Sequence, residues 1–74
     1  MKWEVKIAAR ARKNMQKIPP KDAKRLLFVL DGMADNPFVG DIEKVKGEER
    51  SWRRRVGNYR ILYDVYLQQR LIEV

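Results

Sequence analysis

The sequence predicts an α+β fold in the order β-α-α-β-β-β, with an N-terminal helical hairpin packed on one face of a small, antiparallel-dominated sheet. Three observations predict it. Apolar and charged residues alternate from Trp3 to Ile7. Two apolar stripes at helical spacing follow, separated by Pro19-Pro20, and Ser51 to Val65 reads as two strands closed by a Gly57-Asn58 turn. The chain has 74 residues, enough for one domain over 1–74 with a modest core. A chain this short hides only ~60% of its unfolded surface on folding, so a partner that binds the folded state adds substantially to its stability.

Trp3, Val5 and Ile7 alternate with Lys2, Glu4 and Lys6, the pattern of a strand with one buried face. Ala8, Ala11, Met15 and Ile18 then recur at helix spacing, with Arg10, Arg12, Lys13 and Lys17 on the outer side. Pro19-Pro20 ends that helix, and the fixed φ of Pro20 suits the first turn of the next. Ala23, Leu26, Leu27, Leu30, Met33 and Ala34 form the second stripe, which Asn36-Pro37 stops. So short a connection packs the two helices as an antiparallel hairpin. From Phe38 to Arg50 the periodicity weakens. Gly40, Gly47 and the charges of Asp41, Glu43, Lys44, Lys46, Glu48 and Glu49 indicate a loop, in which Ile42 to Val45 is a candidate short strand. After the hairpin, a turn near Gln68-Gln69 leads into Leu71 to Val74 as the last strand, and the first strand is expected to return and pair inside the sheet.

The hairpin carries the functional information. A two-residue Gly57-Asn58 loop suits the primed turns that close β-hairpins. That loop sets Val56 opposite Tyr59, Arg55 opposite Arg60, Arg54 opposite Ile61, Arg53 opposite Leu62 and Trp52 opposite Tyr63. Side chains alternate between the faces of a strand, so Arg53, Arg55 and Arg60 project from one face, and Trp52, Val56, Tyr59, Ile61 and Tyr63 from the other. Like charges directly opposite one another, as Arg55 and Arg60 are, oppose pairing. A phosphate site has a use for such converging guanidiniums, because each is always charged and its planar fork matches phosphate oxygens. Helices cover only one side of the sheet, so the arginine face is expected to lie open.

Composition narrows the chemistry. The chain lacks cysteine and histidine, which removes disulfides, thiolate metal sites and the commonest general base. No metal or cofactor is implied. Apolar runs are too short to span a bilayer and no secretory pattern opens the chain, so cytoplasm is the default expectation. The formal net charge is +7, a balance that favours polyanionic partners. Lys44 and Lys46 flank the arginine cluster in sequence as further phosphate-binding candidates. Glu43 is the carboxylate near it in a glycine-flanked setting. It reads either as a general base for a 2′-hydroxyl or as a surface charge offsetting neighbouring lysines. Arg54 falls on the Trp52 face, where it is expected to pass the sheet edge or bridge to Asp31 or Asp35. Tyr66, on the arginine face, is a weaker candidate for stacking on a nucleotide.

Trp52-Arg-Arg-Arg-Val-Gly-Asn-Tyr-Arg-Ile-Leu-Tyr63, with Lys44-Val-Lys-Gly47 upstream and the β-α-α-β-β-β order, resembles the core of the RelE/ParE superfamily of type II toxins. The resemblance covers the whole chain. It implies a concave sheet face that, in the RelE branch, grips messenger RNA in the ribosomal A site and cleaves it by attack of a 2′-hydroxyl on the adjacent phosphodiester. The family's basic hairpin positions fall on Arg53, Arg55 and Arg60. Arg60 would stabilise the phosphate as charge develops, Arg53 and Arg55 would hold RNA backbone, and Glu43 sits near a general base used in one branch. The partner implied is a cognate antitoxin with an acidic, amphipathic segment that folds across the toxin.

Members of the family usually continue past the last strand into a segment with basic residues and a tyrosine, which this sequence does not show. The expectation is therefore a C-terminally short toxin domain whose cleavage is weak or absent. A ParE-like poison of DNA gyrase and a catalytically silent antitoxin-binding module are the alternatives the sequence leaves open.

Overall fold

Gly57 sets the geometry of the sheet. Its φ of 58° places a residue without a Cβ at the first position of the hairpin turn, as a type II′ turn requires. In the computed structural model, which describes residues 2–74, the flanking strands pair in the expected register: Val56 with Tyr59, Arg55 with Arg60, Arg54 with Ile61, Arg53 with Leu62 and Trp52 with Tyr63.

The elements run β1 (Glu4–Lys6), α1 (Ala9–Met15), α2 (Pro20–Met33), β2 (Ile42–Lys44), β3 (Ser51–Val56), β4 (Tyr59–Tyr66) and β5 (Leu71–Glu73). The α+β class and the N-terminal helical pair are as the sequence predicts, and the candidate strand in the 38–50 segment is real. It adds a fourth strand after the helices to the three in the expected order. The spatial order is β1-β5-β4-β3-β2. β1 therefore returns to the edge of the sheet, not to its interior, and pairs parallel with β5. The physical reason lies in Ala8 and Val74: the N–H of Ala8 donates to the Val74 carbonyl at 2.9 Å and the chain then leaves at once for α1.

The core forms where Leu26, Leu30 and Met33, spaced one helical turn apart on α2, meet Val56, Ile61, Tyr63, Val65 and Ile72 of the sheet. Leu27 falls outside that stripe and is half exposed, and α1 buries no residue fully, although Met15 and the following Ile18 pack against the core. Two hydrogen bonds pin the layers together. The Tyr59 hydroxyl donates to Asp22 Oδ2 at 3.0 Å, tying the start of β4 to the first turn of α2. The buried Tyr63 hydroxyl donates to the Pro37 carbonyl at 2.8 Å, tying mid-β4 to the loop after α2. No helix among the described residues is long and apolar enough to cross a membrane.

Burial pushes the Tyr63 phenol up from its ordinary value, an effect that the nearby Arg54 charge opposes in part. A raised folded-state pKa favours the folded state only while the phenol is protonated. The contribution is complete below the unfolded value of about 10 and is lost as pH rises through the higher folded value. Tyr63→Phe is expected to cost about 1–2 kcal/mol at pH 7, since it orphans the Pro37 carbonyl. It should also flatten the alkaline loss of stability. Urea denaturation at neutral pH and above pH ~10 checks both.

Candidate nucleic-acid interface

The face of the sheet turned away from the helices is built by period-two alternation. Arg53 and Arg55 leave β3 on this side, and Arg60 and Leu62 leave β4 beside them. The three arginines line a cleft of about 210 Å³, so the structure brings together the residues that the hairpin register groups. Leu62 shares that face, 61% exposed.

Two carboxylates complete the cleft. Glu43 pairs with Arg53 in the β2–β3 ladder, and its Oε2 lies 3.6 Å from Arg53 Nη2. Asp41 comes from the residue just before β2. Its carbonyl accepts the Arg55 N–H at 2.9 Å, which continues the ladder by one position, and its Oδ2 lies 4.0 Å from Arg55 Nε. In the sequence Asp41 is one loop charge among several. Its two-residue spacing from Glu43 is the signal that singles it out, because it places both on one face once 42–44 forms a strand. Both carboxylates and Arg55 are exposed and Arg53 is partly buried, so the pairs hold little energy against a competing phosphate.

Charge is therefore distributed unevenly. Arg53 and Arg55 each have a carboxylate at hand, whereas among the described residues Arg60 forms no ion pair. Three guanidiniums against two carboxylates leave the cleft net positive, with the uncompensated charge on Arg60.

The lysines behave differently. Lys44 pairs with Trp52, so its side chain leaves β2 on the helix side of the sheet, and Lys46 sits beyond the strand in the following turn. Neither lines the arginine cleft. Arg54 also departs from expectation. It forms no ion pair with Asp31 or Asp35, and its guanidinium instead covers Gly40. A Cβ on that glycine would lie 2.8 Å from Arg54 Cζ, and the φ of 95° there disfavours a side chain in any case. Arg54 thus braces the loop that delivers Asp41. Tyr66 carries the Arg50 guanidinium over its ring at 5.1 Å, an arrangement that already occupies its π face. Trp52 is half-buried on the helix side and meets Phe38 edge-on at 5.4 Å, and Phe38 meets Trp3 at 6.1 Å.

Known proteins that resemble this chain are toxins of type II toxin–antitoxin systems or their complexes. The family described as the ParE toxin of the type II toxin–antitoxin system parDE matches residues 5–74. A Methanocaldococcus jannaschii protein whose name assigns it as toxin RelE1 is 31% identical over 97% of this chain and 83% of its own length. The crystal structure of the archaeal RelE–RelB complex from Pyrococcus horikoshii superposes with a TM-score of 0.88 at 28% identity, covering 99% of this chain and 89% of that one. The toxin–antitoxin complex RelBE2 from Mycobacterium tuberculosis gives 0.87 at 19% identity, covering 99% and 91%, and shares the fold.

Proposed function

The chain belongs to the ParE toxin family of type II toxin–antitoxin systems, within the RelE/ParE superfamily, and from that premise we propose that it is a ribosome-dependent endonuclease of messenger RNA. The observation that carries this reading is the open cleft of Arg53, Arg55 and Arg60, with its unpaired charge on Arg60. The 2′-oxygen of one nucleotide attacks the adjacent phosphorus as the bond to the 5′-oxygen breaks, leaving a 2′,3′-cyclic phosphate and a 5′-oxygen that takes its proton from water. Arg60 meets the negative charge that grows on the phosphoryl oxygens, the step at which a positioned cation helps most. Arg53 and Arg55 exchange their carboxylates for the RNA backbone on either side. Lys44 and Lys46 would meet phosphates only where RNA or the ribosome wraps round the β2 edge.

Glu43 is the candidate acceptor of the 2′-hydroxyl proton, and release from Arg53 frees it for that role. Glu43→Gln is then expected to slow cleavage by about 10²–10⁴-fold without weakening RNA binding. An unchanged rate in single-turnover assays would reduce Glu43 to the counter-ion of Arg53.

The relatives support an antitoxin as partner, and an acidic segment in it is the part that would meet this chain. The net charge of +7 favours such a ligand and speeds its encounter. A poison of DNA gyrase is the second reading, favoured by the ParE description of the matched family. In vitro translation with primer extension on the message tests the first. Cleavage that needs the ribosome and fails with Arg60→Ala is the expected result. Intact message together with blocked gyrase supercoiling would give the second reading its support. Intact message, active gyrase and capture of an antitoxin would leave a silent binding module.

A further inference from the structure

Most of the excess charge lies away from the arginine cleft. Between Ala9 and Phe28, which takes in α1 and the start of α2, seven basic residues stand against one carboxylate. The rest of the chain holds ten against nine, so +6 of the net +7 belongs to the helical hairpin. The single carboxylate is Asp22, which already accepts the Tyr59 hydroxyl. Arg10, Arg12 and Lys13 of α1 are exposed, as is Lys17 in the connection. So are Lys21, Lys24 and Arg25 of α2. Among the described residues none of the seven forms an ion pair.

Helix geometry gathers these cations into rows. Lys21, Lys24, Arg25 and Phe28 recur at three- and four-residue spacing on the face of α2 opposite the buried Leu26, Leu30 and Met33. Arg10 and Lys13 lie about one turn apart on α1, away from Met15, which packs on the core. Lys21 and Arg25 are four residues apart, a spacing at which like charges destabilise a helix. Phe28, the sole aromatic residue of the two helices, is 80% exposed at the end of the α2 row. The sheet lies between this surface and the arginine cleft, which opens on its other side.

We propose that the outer face of the helical hairpin docks base-paired RNA by its phosphates, apart from the cleft that takes a single strand. Cations in two rows on separate helices suit the two backbones of a duplex. A single strand is held along one groove with its bases on aromatic platforms, and this face carries one ring. A bilayer needs a free apolar face, whereas the apolar stripe of α2 is spent on the core. A protein partner calls for an interface without charge at its centre, and the exposed apolar residues here are Leu27 and Phe28 amid the cations. Four of the seven cations are lysines, which meet phosphate as point charges, so binding follows duplex shape more than sequence. RNA, not DNA, is the duplex expected, a step that rests on the messenger reading of the cleft.

The test compares the full chain with the triple variant Lys17→Gln, Lys21→Gln and Lys24→Gln. Each is titrated over a range of salt with an RNA duplex of about 16 base pairs and with a single-stranded 2′-deoxy oligonucleotide. The variant is expected to bind the duplex about tenfold or more weakly, with the slope of log affinity against log salt reduced by about 0.9 per phosphate contact removed. Its hold on the single strand and its melting point should not change. Arg60→Ala should give the reverse pattern, and Lys17→Arg, Lys21→Arg and Lys24→Arg together should keep duplex binding. Wild-type duplex binding by the glutamine variant, or a loss shared equally with Arg60→Ala, would overturn the proposal. So would tighter binding to a DNA duplex of the same sequence, to vesicles of anionic lipid or to poly-glutamate. If the single strand binds at the arginines and the duplex does not bind the helices, the docking surface falls alone. If duplex binding maps to the helices while the message stays intact in translation, docking stands and the messenger reading falls.

Discussion

Arg60→Ala is expected to lower message cleavage by about 10²–10³-fold, the usual loss when one positioned transition-state partner is removed, while leaving the fold intact. Its stability should change by no more than about 0.5 kcal/mol. The effect comes from the counter-charge that Arg60 lacks. Arg53 and Arg55 have Glu43 and Asp41 within 3.6 and 4.0 Å, so part of their charge is already answered. Arg60 has no such partner among the described residues and sits directly across from Arg55, where two guanidiniums repel. An approaching phosphate relieves that repulsion, and the gain rises as negative charge develops on the reacting oxygens. Arg60→Ala should also reduce the slope of log affinity against log salt by about 0.7, one phosphate contact on a single strand. Primer extension, salt-dependent binding of a 2′-deoxy oligonucleotide and a melting curve on the same variant check all three. Unfolding by this substitution would make the arginine structural and remove the basis of the proposed chemistry.

Trp52→Ala is expected to cost about 3 kcal/mol of stability, a large share of what a domain of this size holds at ~0.05–0.15 kcal/mol per residue. Trp52 leaves β3 on the helix side and closes the end of the core through the edge-on series Trp3, Phe38, Trp52. Truncation removes the ring against which Phe38 packs and exposes the 37–39 loop, whose Pro37 carbonyl receives the Tyr63 hydroxyl. The damage should spread to Tyr63 and to the loop that delivers Asp41. Urea denaturation reads the loss as a lower midpoint at unchanged slope. A wild-type midpoint would mean that the two faces of β3 are assigned in reverse.

The helix and strand pattern was legible because it depends on near neighbours. Pro19-Pro20 and Asn36-Pro37 punctuate the helices through proline's missing N–H. Gly57 marks the hairpin through the positive φ it alone adopts without cost. Once that turn is set, a strand's period of two assigns every side chain from Trp52 to Tyr63 to a face, and the arginine cluster follows without tertiary information.

The class, the hairpin register and the grouping of Arg53, Arg55 and Arg60 are therefore written in the chain. The rest comes from the packed fold. It put β1 at the sheet edge beside β5, sent Lys44 to the helix side, laid Arg54 over Gly40 and brought Asp41 to Arg55. The two sets differ in the range of the interactions involved. Turn chemistry and alternation act within a few residues, whereas the placement of a three-residue strand such as β1 or β2 is set by what it pairs with across the sheet.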